Sequence, residues 1–214
     1  MISKKHIVTP NVGIIILAAG ASRRMGSPKQ LLKIGQQTLL ERIVELTKEI
    51  HNQETVVVLG ANAQKIKQAV NDQNEVTFII NEDWKKGMGT TLKTGINYFL
   101  KKKELIEAVI VLVCDQPYLT SNILKALINQ YVETKADIVA TAYAKIKGVP
   151  ALFSKKIFPQ LANLQQDKGA RKIIKKYQGQ IVTVNFPKGQ IDLDTPSTYQ
   201  AFLEKYEENQ KNGA

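Results

Sequence analysis

The eighteen residues Val12-Gly-Ile-Ile-Ile-Leu-Ala-Ala-Gly-Ala-Ser-Arg-Arg-Met-Gly-Ser-Pro-Lys29 decide the fold of this chain. The first six, Val12 to Leu17, are apolar and mostly β-branched, the composition of a strand buried on both faces of a parallel sheet. The chemistry then changes abruptly to small residues, two glycines (Gly20 and Gly26) and three cations, Arg23, Arg24 and Lys29. A loop of small side chains exposes its backbone N–H groups, and guanidinium and ammonium groups beside it add charge. Together they suit a polyanion such as a nucleoside triphosphate.

Two familiar phosphate loops fail on spacing. A Walker A loop needs G-x-x-x-x-G-K-[ST], but Gly20 and Gly26 stand one residue too far apart and Ser27 follows. A dinucleotide fingerprint needs G-x-G-x-x-G, and Gly20 is followed by Ala21-Ser22.

Working outward, strand-like runs recur at Val12–Leu17, Thr55–Leu59, Val76–Ile80, Ala108–Val113, Asp137–Ala142 and Ile181–Asn185. Helix-period segments lie between them. Thr38-Leu-Leu-Glu41 matches a capping box and leads a stripe of Leu39, Ile43, Leu46 and Ile50. Helices are also expected over Ala63–Val70, Thr90–Leu100 and Asn122–Val132, and a last one from Thr195-Pro196, Thr capping and Pro at the first helical position. This alternation predicts an α/β three-layer sandwich, a Rossmann-like, mostly parallel sheet with helices on both faces. Ligands on such sheets sit at the carboxyl ends of strands, which selects the loops after Leu17, Ile80 and Val113. Tyr143 to Gln180 breaks the alternation and is expected to hold an antiparallel excursion and short helices that cover the site. One domain is expected over residues 1–214, with flexible ends at 1–10 and 207–214.

Composition agrees with a globular protein: 43% hydrophobic and 23% charged over 214 residues. The net charge of +11 calls for an anionic partner. Nucleic acid is not expected, because the lysine pairs (Lys4-Lys5, Lys85-Lys86, Lys155-Lys156, Lys175-Lys176) are scattered, without interleaved aromatics. The one cysteine, Cys114, excludes a disulfide framework and a Cys/His metal cluster, and reads as a small buried hydrophobe with neither His6 nor His51 placed to serve it. The apolar run at 12–19 is too short to cross a bilayer and Met1 to Thr9 lacks a signal-peptide core, so no membrane partner and a cytoplasmic location are expected.

Several residues suit chemistry or local structure equally well. Asp115 stands at a strand end and could bind a hard cation or form a turn ahead of Pro117. Asp192 and Asp194 could do likewise or support the following helix. Asn81 could read a base edge or end a strand, Thr90 and Thr91 could present hydroxyls or cap, and Trp84 could stack on a ring or pack.

From Leu17 to Lys29 the chain matches L-A-A-G-x-S-x-R-M-G-x-x-K at every fixed position, and so closely resembles the nucleotidylyltransferases of the molybdenum cofactor family. Gly87-Met-Gly-Thr-Thr-Leu-Lys-Thr-Gly95, Asp115-Gln-Pro117, Asp167-Lys-Gly-Ala-Arg171 and Asp192-Leu-Asp-Thr-Pro196 resemble the family's other segments in order and spacing, with Gln166 replacing a glycine. The resemblance implies a nucleotide-diphospho-sugar transferase-like fold and transfer of CMP from CTP to the terminal phosphate of molybdopterin, with pyrophosphate leaving. Ala19 implies the cytidylyl rather than the guanylyl branch, which has L-A-G-G. Lys29, Arg24 and Asp115 are implied as catalytic. Leu17, Ala18, Ala19, Gly20, Ser22, Asn81, Gly87, Gly89, Thr90 and Thr91 are implied for the nucleotide, with Arg24 and Lys29. Asp115, Asp192 and Asp194 would hold Mg²⁺, or Mn²⁺ in its place. Gly148, Pro150, Gly169 and Arg171 would meet the acceptor, although Val149 replaces the histidine of the family's G-H-P. The implied recipient is a molybdenum hydroxylase apoenzyme or its chaperone. Other acceptors (sugar or polyol phosphates), GTP as donor, a nicotinamide-dependent oxidoreductase and a non-catalytic nucleotide-binding regulator are the alternatives.

Overall fold

The computed structural model describes residues 10–50, 54–70, 75–102, 105–164 and 169–212. His6, His51, Gln166 and Asp167 therefore lie outside the described residues. β1 (Val12–Ala18) is buried along its whole length. It pairs in parallel with β4 (Thr55–Leu59) on one side and β6 (Ala108–Val113) on the other, Ile16 standing opposite Val57 and Leu112. β5 (Thr77–Ile80) extends the parallel run beyond β4. The sheet order is β5-β4-β1-β6-β8-β7-β9, with β7 at Ile138–Tyr143, β8 at Ile146–Ser154 and β9 at Val182–Asn185. Only β8 runs against the other six strands, since it is antiparallel to both β6 and β7 while β7 and β9 are parallel. A two-residue hairpin, β2 (Lys33–Ile34) and β3 (Gln37–Thr38), stands apart.

Alternating strand residues feed two cores. Ile14 and Ile16 face Leu40, Ile43 and Leu124 of α1 (Leu39–Lys48) and α4 (Ser121–Thr134), with α2 (Ala63–Ala69) on the same side. Ile15 and Leu17 face Leu92, Ile96 and Phe99 of α3 (Met88–Lys101), together with α5 (Phe158–Ala162) and α6 (Ala170–Lys176). The alternation within β1 is the period-2 pattern of a strand buried on both faces. α7 (Pro196–Asn212) closes a small third cluster through Phe202, with Ile34, Leu39 and Leu193.

The expected layers hold. The capping box forms: Thr38 Oγ1 accepts from Glu41 N at 3.2 Å and Thr38 N donates to Glu41 Oε2 at 2.8 Å. Thr195 Oγ1 accepts from Thr198 N at 3.2 Å at the start of α7. The later part of the chain adds detail in three places. The antiparallel excursion is a full nine-residue strand, β8, inserted between β6 and β7. α7 runs as helix to Asn212; Tyr206 stacks on Phe202 with ring centroids 6.0 Å apart, and Glu207 to Lys211 beyond it are exposed. The Tyr143–Gln180 segment puts α5 against α3 and α6 against β8, with Gly169 beside Met88, which lines the cavity described below.

Candidate active site

The loop after β1 is shaped by local hydrogen bonds. Ser22 adopts a left-handed conformation (φ 52°), a short 3-10 turn spans Arg23–Met25, and Gly26 follows at φ 70°, a geometry that glycine accepts without a Cβ penalty. Ser22 Oγ accepts from the Lys29 backbone at 3.0 Å, which closes the loop on itself. Gln30 is buried (1% exposed) and its Nε2 donates to the carbonyls of Ala18 at 2.7 Å and Gly20 at 3.2 Å. The side chain thus takes up carbonyls on the inner side of the loop. Ala61 N donates to Ala19 O at 3.0 Å and ties the same loop to the end of β4.

Lys29 reaches across to two acidic loops. Its Nζ contacts Asp115 Oδ2 and donates to Asp194 Oδ1 at 2.9 Å, while Arg24 Nη2 meets Asp194 Oδ2 at 2.8 Å. Burial opposes the charge on Lys29, but Asp115 and then Asp194 beside it outweigh this and hold its pKa above the ordinary lysine value. For Asp194 partial burial is likewise overcome by Lys29 and Arg24, and its pKa is lowered. Asp192 goes the other way: partial burial, then the charges of Asp115 and Asp194, raise it. Leu193 N donates to Asp115 O at 3.0 Å, so the two acidic loops are stitched together by backbone. Among the described residues no group of three or more His, Cys, Asp or Glu is gathered closely enough to hold a metal alone. The expected trio Asp115, Asp192 and Asp194 is therefore not a ready-made ligand shell, because the Lys29 ammonium stands between two of its members.

Beside this cluster opens a cavity of about 400 Å³. Leu17, Ala19, Gly20, Ser22, Lys29, Gly87, Thr91 and Asp115, all expected at the site, line it. Trp84 also lines it, half-buried, with its Cβ packed over Gly60 where any side chain would collide at 2.5 Å. Other expected residues do not line it. Ala18 and Gly89 are buried behind the surface. The Asn81 amide is fully used: Nδ2 donates to Thr90 Oγ1 at 2.9 Å and Thr91 Oγ1 at 3.1 Å, and Oδ1 accepts from Asp83 N at 3.0 Å. That arrangement builds the turn before α3 and leaves no donor for a base edge. Thr90 and Asn81 border a separate polar cavity. Arg24, 70% exposed at its side chain, is turned to Asp194, and its neighbour Arg23 lines the cavity instead. Cys114 is buried, its thiol pushed up to about 12 by burial and then by Asp115, which suits an inert core thiol.

On the acceptor side, Gly148 and Pro150 are buried within β8. A Cβ on Gly148 would sit 2.4 Å from the Tyr143 hydroxyl, so this glycine makes room for Tyr143. Tyr143 donates to Val149 O at 3.1 Å; burial first, and then Asp192, raise its pKa, whereas the charge of Arg171 pulls it down. Arg171 is exposed in the first turn of α6, and Gly169 ahead of it packs on Met88 Sδ. Gln116, 4% exposed, donates from Nε2 to Val149 O at 3.2 Å and Gly189 O at 2.8 Å. One side chain thereby joins the Asp115 loop, β8 and the turn leading to Asp192.

The model of the MobA-like NTP transferase domain matches residues 14–181, most of the chain and the whole of this arrangement up to α6. The chain belongs to the MobA-like NTP transferase domain family. Among its relatives, the nicotine blue oxidoreductase of Paenarthrobacter nicotinovorans is 30% identical over 176 residues, spanning 78% of this chain and 83% of that protein. A protein named "probable molybdenum cofactor guanylyltransferase" in Natranaerobius thermophilus is 28% identical over 132 residues, 62% of this chain and 60% of its own. The bifunctional protein GlmU of Buchnera aphidicola is 28% identical over 63% of this chain, and the match spans only 28% of GlmU. In fold, the domain superposes on Rv0371C of Mycobacterium tuberculosis H37Rv, crystallised in complex with manganese, with a TM-score of 0.74 at 23% identity, covering 91% of this chain and 98% of that one.

In this MobA-like domain, sequence reasoning passed over Gln30, Gln116 and Tyr143. Gln116 stands inside the quoted Asp115-Gln-Pro117 motif and Gln30 directly follows the quoted Val12–Lys29 stretch, and an amide directly after a charged residue was the available signal. Tyr143 carried none, because its role depends on the Gly148 opposite. No helix among the described residues is long and apolar enough to cross a membrane.

Proposed function

We propose that this MobA-like nucleotidyltransferase transfers CMP from CTP to the terminal phosphate of molybdopterin and releases pyrophosphate. The observation that carries the reading is the meeting of one basic, small-residue loop with two acidic loops at one cavity: Lys29 beside Asp115 and Asp194, with Arg23 on the cavity wall. An oxygen of the acceptor phosphate attacks the α-phosphorus, and the bond to the bridging oxygen of pyrophosphate breaks. The nucleophile is already anionic, so no Ser, Cys or His is needed, and the inert Cys114 agrees with that. The work left to the protein is alignment and charge neutralisation.

A divalent cation fits the donor set. Asp115 and Asp192 offer hard carboxylate oxygens, which with phosphate oxygens suit Mg²⁺, or Mn²⁺ in its place. When bound, the ion supplies charge neutralisation at the phosphates. The chain's own part is to hold the triphosphate on the loop amides of Gly20 to Ser22, to place Lys29 and Arg23 against its charge, and to keep Asp194 as the anchor that aims Lys29 and Arg24. Trp84 forms one wall against the nucleotide, and Arg171 with Tyr143 faces the acceptor phosphate. The recipient of the product would be a molybdenum hydroxylase apoenzyme or its chaperone.

Pyrophosphate release from CTP and from GTP, each with and without molybdopterin, tests the assignment. Release from CTP that depends on molybdopterin supports it; preference for GTP transfers the reading to the guanylyl branch, the name borne by the Natranaerobius relative. A second reading follows from the relative named an oxidoreductase. It requires oxidation of a reduced nicotinamide in the same cavity, followed by its absorbance, with no pyrophosphate formed.

A further inference from the structure

The charge of this chain, scattered in sequence, is concentrated by the fold. α3, α5 and α6 lie side by side over one core, and together they carry six cations, Lys93, Lys101, Arg171, Lys172, Lys175 and Lys176, and no carboxylate at all. The other four helices carry seven cations balanced by six carboxylates. All six cations of the first group are exposed, and none pairs with a carboxylate among the described residues. Lys155 and Lys156, also exposed, lead into α5, but Lys156 pairs with Asp137 at 3.4 Å and they are left out of the face. Like charges held together without counter-charges cost stability through self-repulsion, so a one-sided distribution of this kind is a binding signature before it is a structural one.

The face has a position as well as a sign. A Cβ on Gly169, at the start of α6, would sit 3.0 Å from Met88 Sδ at the start of α3, so the two helices converge at their N-terminal ends. Met88 and Lys85 at that convergence also line the active-site cavity. Whatever docks on the basic face therefore has the cavity mouth at its edge.

We propose that the α3–α5–α6 face is a docking surface for an acidic protein that is presented to the cavity mouth. Lysine dominates it, five of the six cations, and a hydrated point charge suits long-range pairing with scattered carboxylates better than the bidentate grip on phosphates for which arginine is chosen. Nucleic acid would also want aromatic platforms, and the two tyrosine rings here are already engaged by lysines, Lys102 over Tyr98 at 5.2 Å and Lys176 over Tyr177 at 5.6 Å.

The test uses the full chain without nucleotide, so its outcome is independent of the transfer reading. Binding of labelled poly-L-glutamate is compared with binding of a short DNA duplex by anisotropy, across a salt titration up to about 0.15 M. Two variants of equal net charge are measured: Lys93→Gln/Lys172→Gln/Lys175→Gln/Lys176→Gln on the basic face and Lys65→Gln/Lys67→Gln/Lys205→Gln/Lys211→Gln elsewhere. The proposal expects salt-sensitive polyglutamate binding that weakens about tenfold in the first variant and less than twofold in the second. Pyrophosphate release with free substrates should be the same in the first variant as in the parent. Equal loss in both variants, which would reduce the effect to net charge, overturns it. So does duplex binding tighter than polyglutamate binding, or no binding to polyglutamate.

Discussion

At the scale of single residues, Lys29 is the point on which the site turns. It touches two carboxylates from two different loops while its own backbone N–H is held by Ser22, so both ends of the residue are fixed. Removing Asp115 leaves Lys29 with Asp194 as partner, and the fold has no reason to fail. Asp115→Asn is therefore expected to lower pyrophosphate release by at least about 10²-fold, as removal of a single preorganised electrostatic group does, with the melting temperature shifted by no more than about 2 °C. Steady-state turnover and a thermal melt read the two quantities; parent-like turnover would remove Asp115 from the chemistry. Residues of this kind were legible because their type and their place at strand ends both pointed the same way. Asn81 and Arg24 show the limit. A side chain's type does not reveal whether its hydrogen-bonding capacity is already spent within the protein, and Asn81 spends all of its own on Thr90, Thr91 and Asp83.

At the scale of elements, every strand of the seven-stranded sheet except β8 was readable. β1, β4 and β6 are runs of buried β-branched residues, whose pattern survives any neighbour. β8 holds Gly148 and Pro150 in its middle, residues that ordinarily argue against a strand. Its tolerance for them is tertiary: the glycine gives space to Tyr143 across the hairpin, and the pairing with β7 shifts register between Ala140 and Thr141, next to that pair. Gly148→Ala should accordingly cost about 1–3 kcal/mol through overpacking, as inserted methyl groups do in close-packed interiors. Shortening the opposing side chain, in Tyr143→Leu with Gly148→Ala, should recover a large part of that loss. Chemical denaturation of the four corners of the cycle checks the coupling; strict additivity would show that the hydroxyl is not what the glycine accommodates. The β2–β3 hairpin left no trace in the pattern because two-residue strands are too short to show a period.

At the scale of the whole molecule, Glu54 links elements distant in sequence. Its carboxylate accepts from Lys102 and Tyr98 at 2.5 Å each and from Thr77 at 3.3 Å, joining the start of β4 to β5 and to α3 and the residue that follows it. Burial would raise its pKa, but Lys102 and then Tyr98 lower it on balance, while Lys102 is raised to about 12, chiefly by Glu54. A depressed carboxylate contributes stability above its unfolded pKa and loses it as the pH falls through the folded one. A raised lysine contributes below its unfolded pKa and loses it as the pH rises through about 12. The pair should thus stabilise the chain between about pH 5 and pH 10. Glu54→Gln is expected to lower the melting temperature near pH 7 by about 2–4 °C, and the difference from the parent should close as the pH is taken below 4. A constant difference across that range would detach the effect from ionisation.

The paired sheet backbone that carries Ile14 and Ile16 to one side and Ile15 and Leu17 to the other also acts as a partition. Damage to one core has to cross a fully hydrogen-bonded layer before the other can respond to it. Ile43→Val beneath α1 and Ile96→Val beneath α3 should each cost about 1 kcal/mol, and the double variant should equal their sum to within about 0.5 kcal/mol. The protein then holds two separate reserves of stability, and a lineage that spends one while altering its chemistry still has the other to draw on.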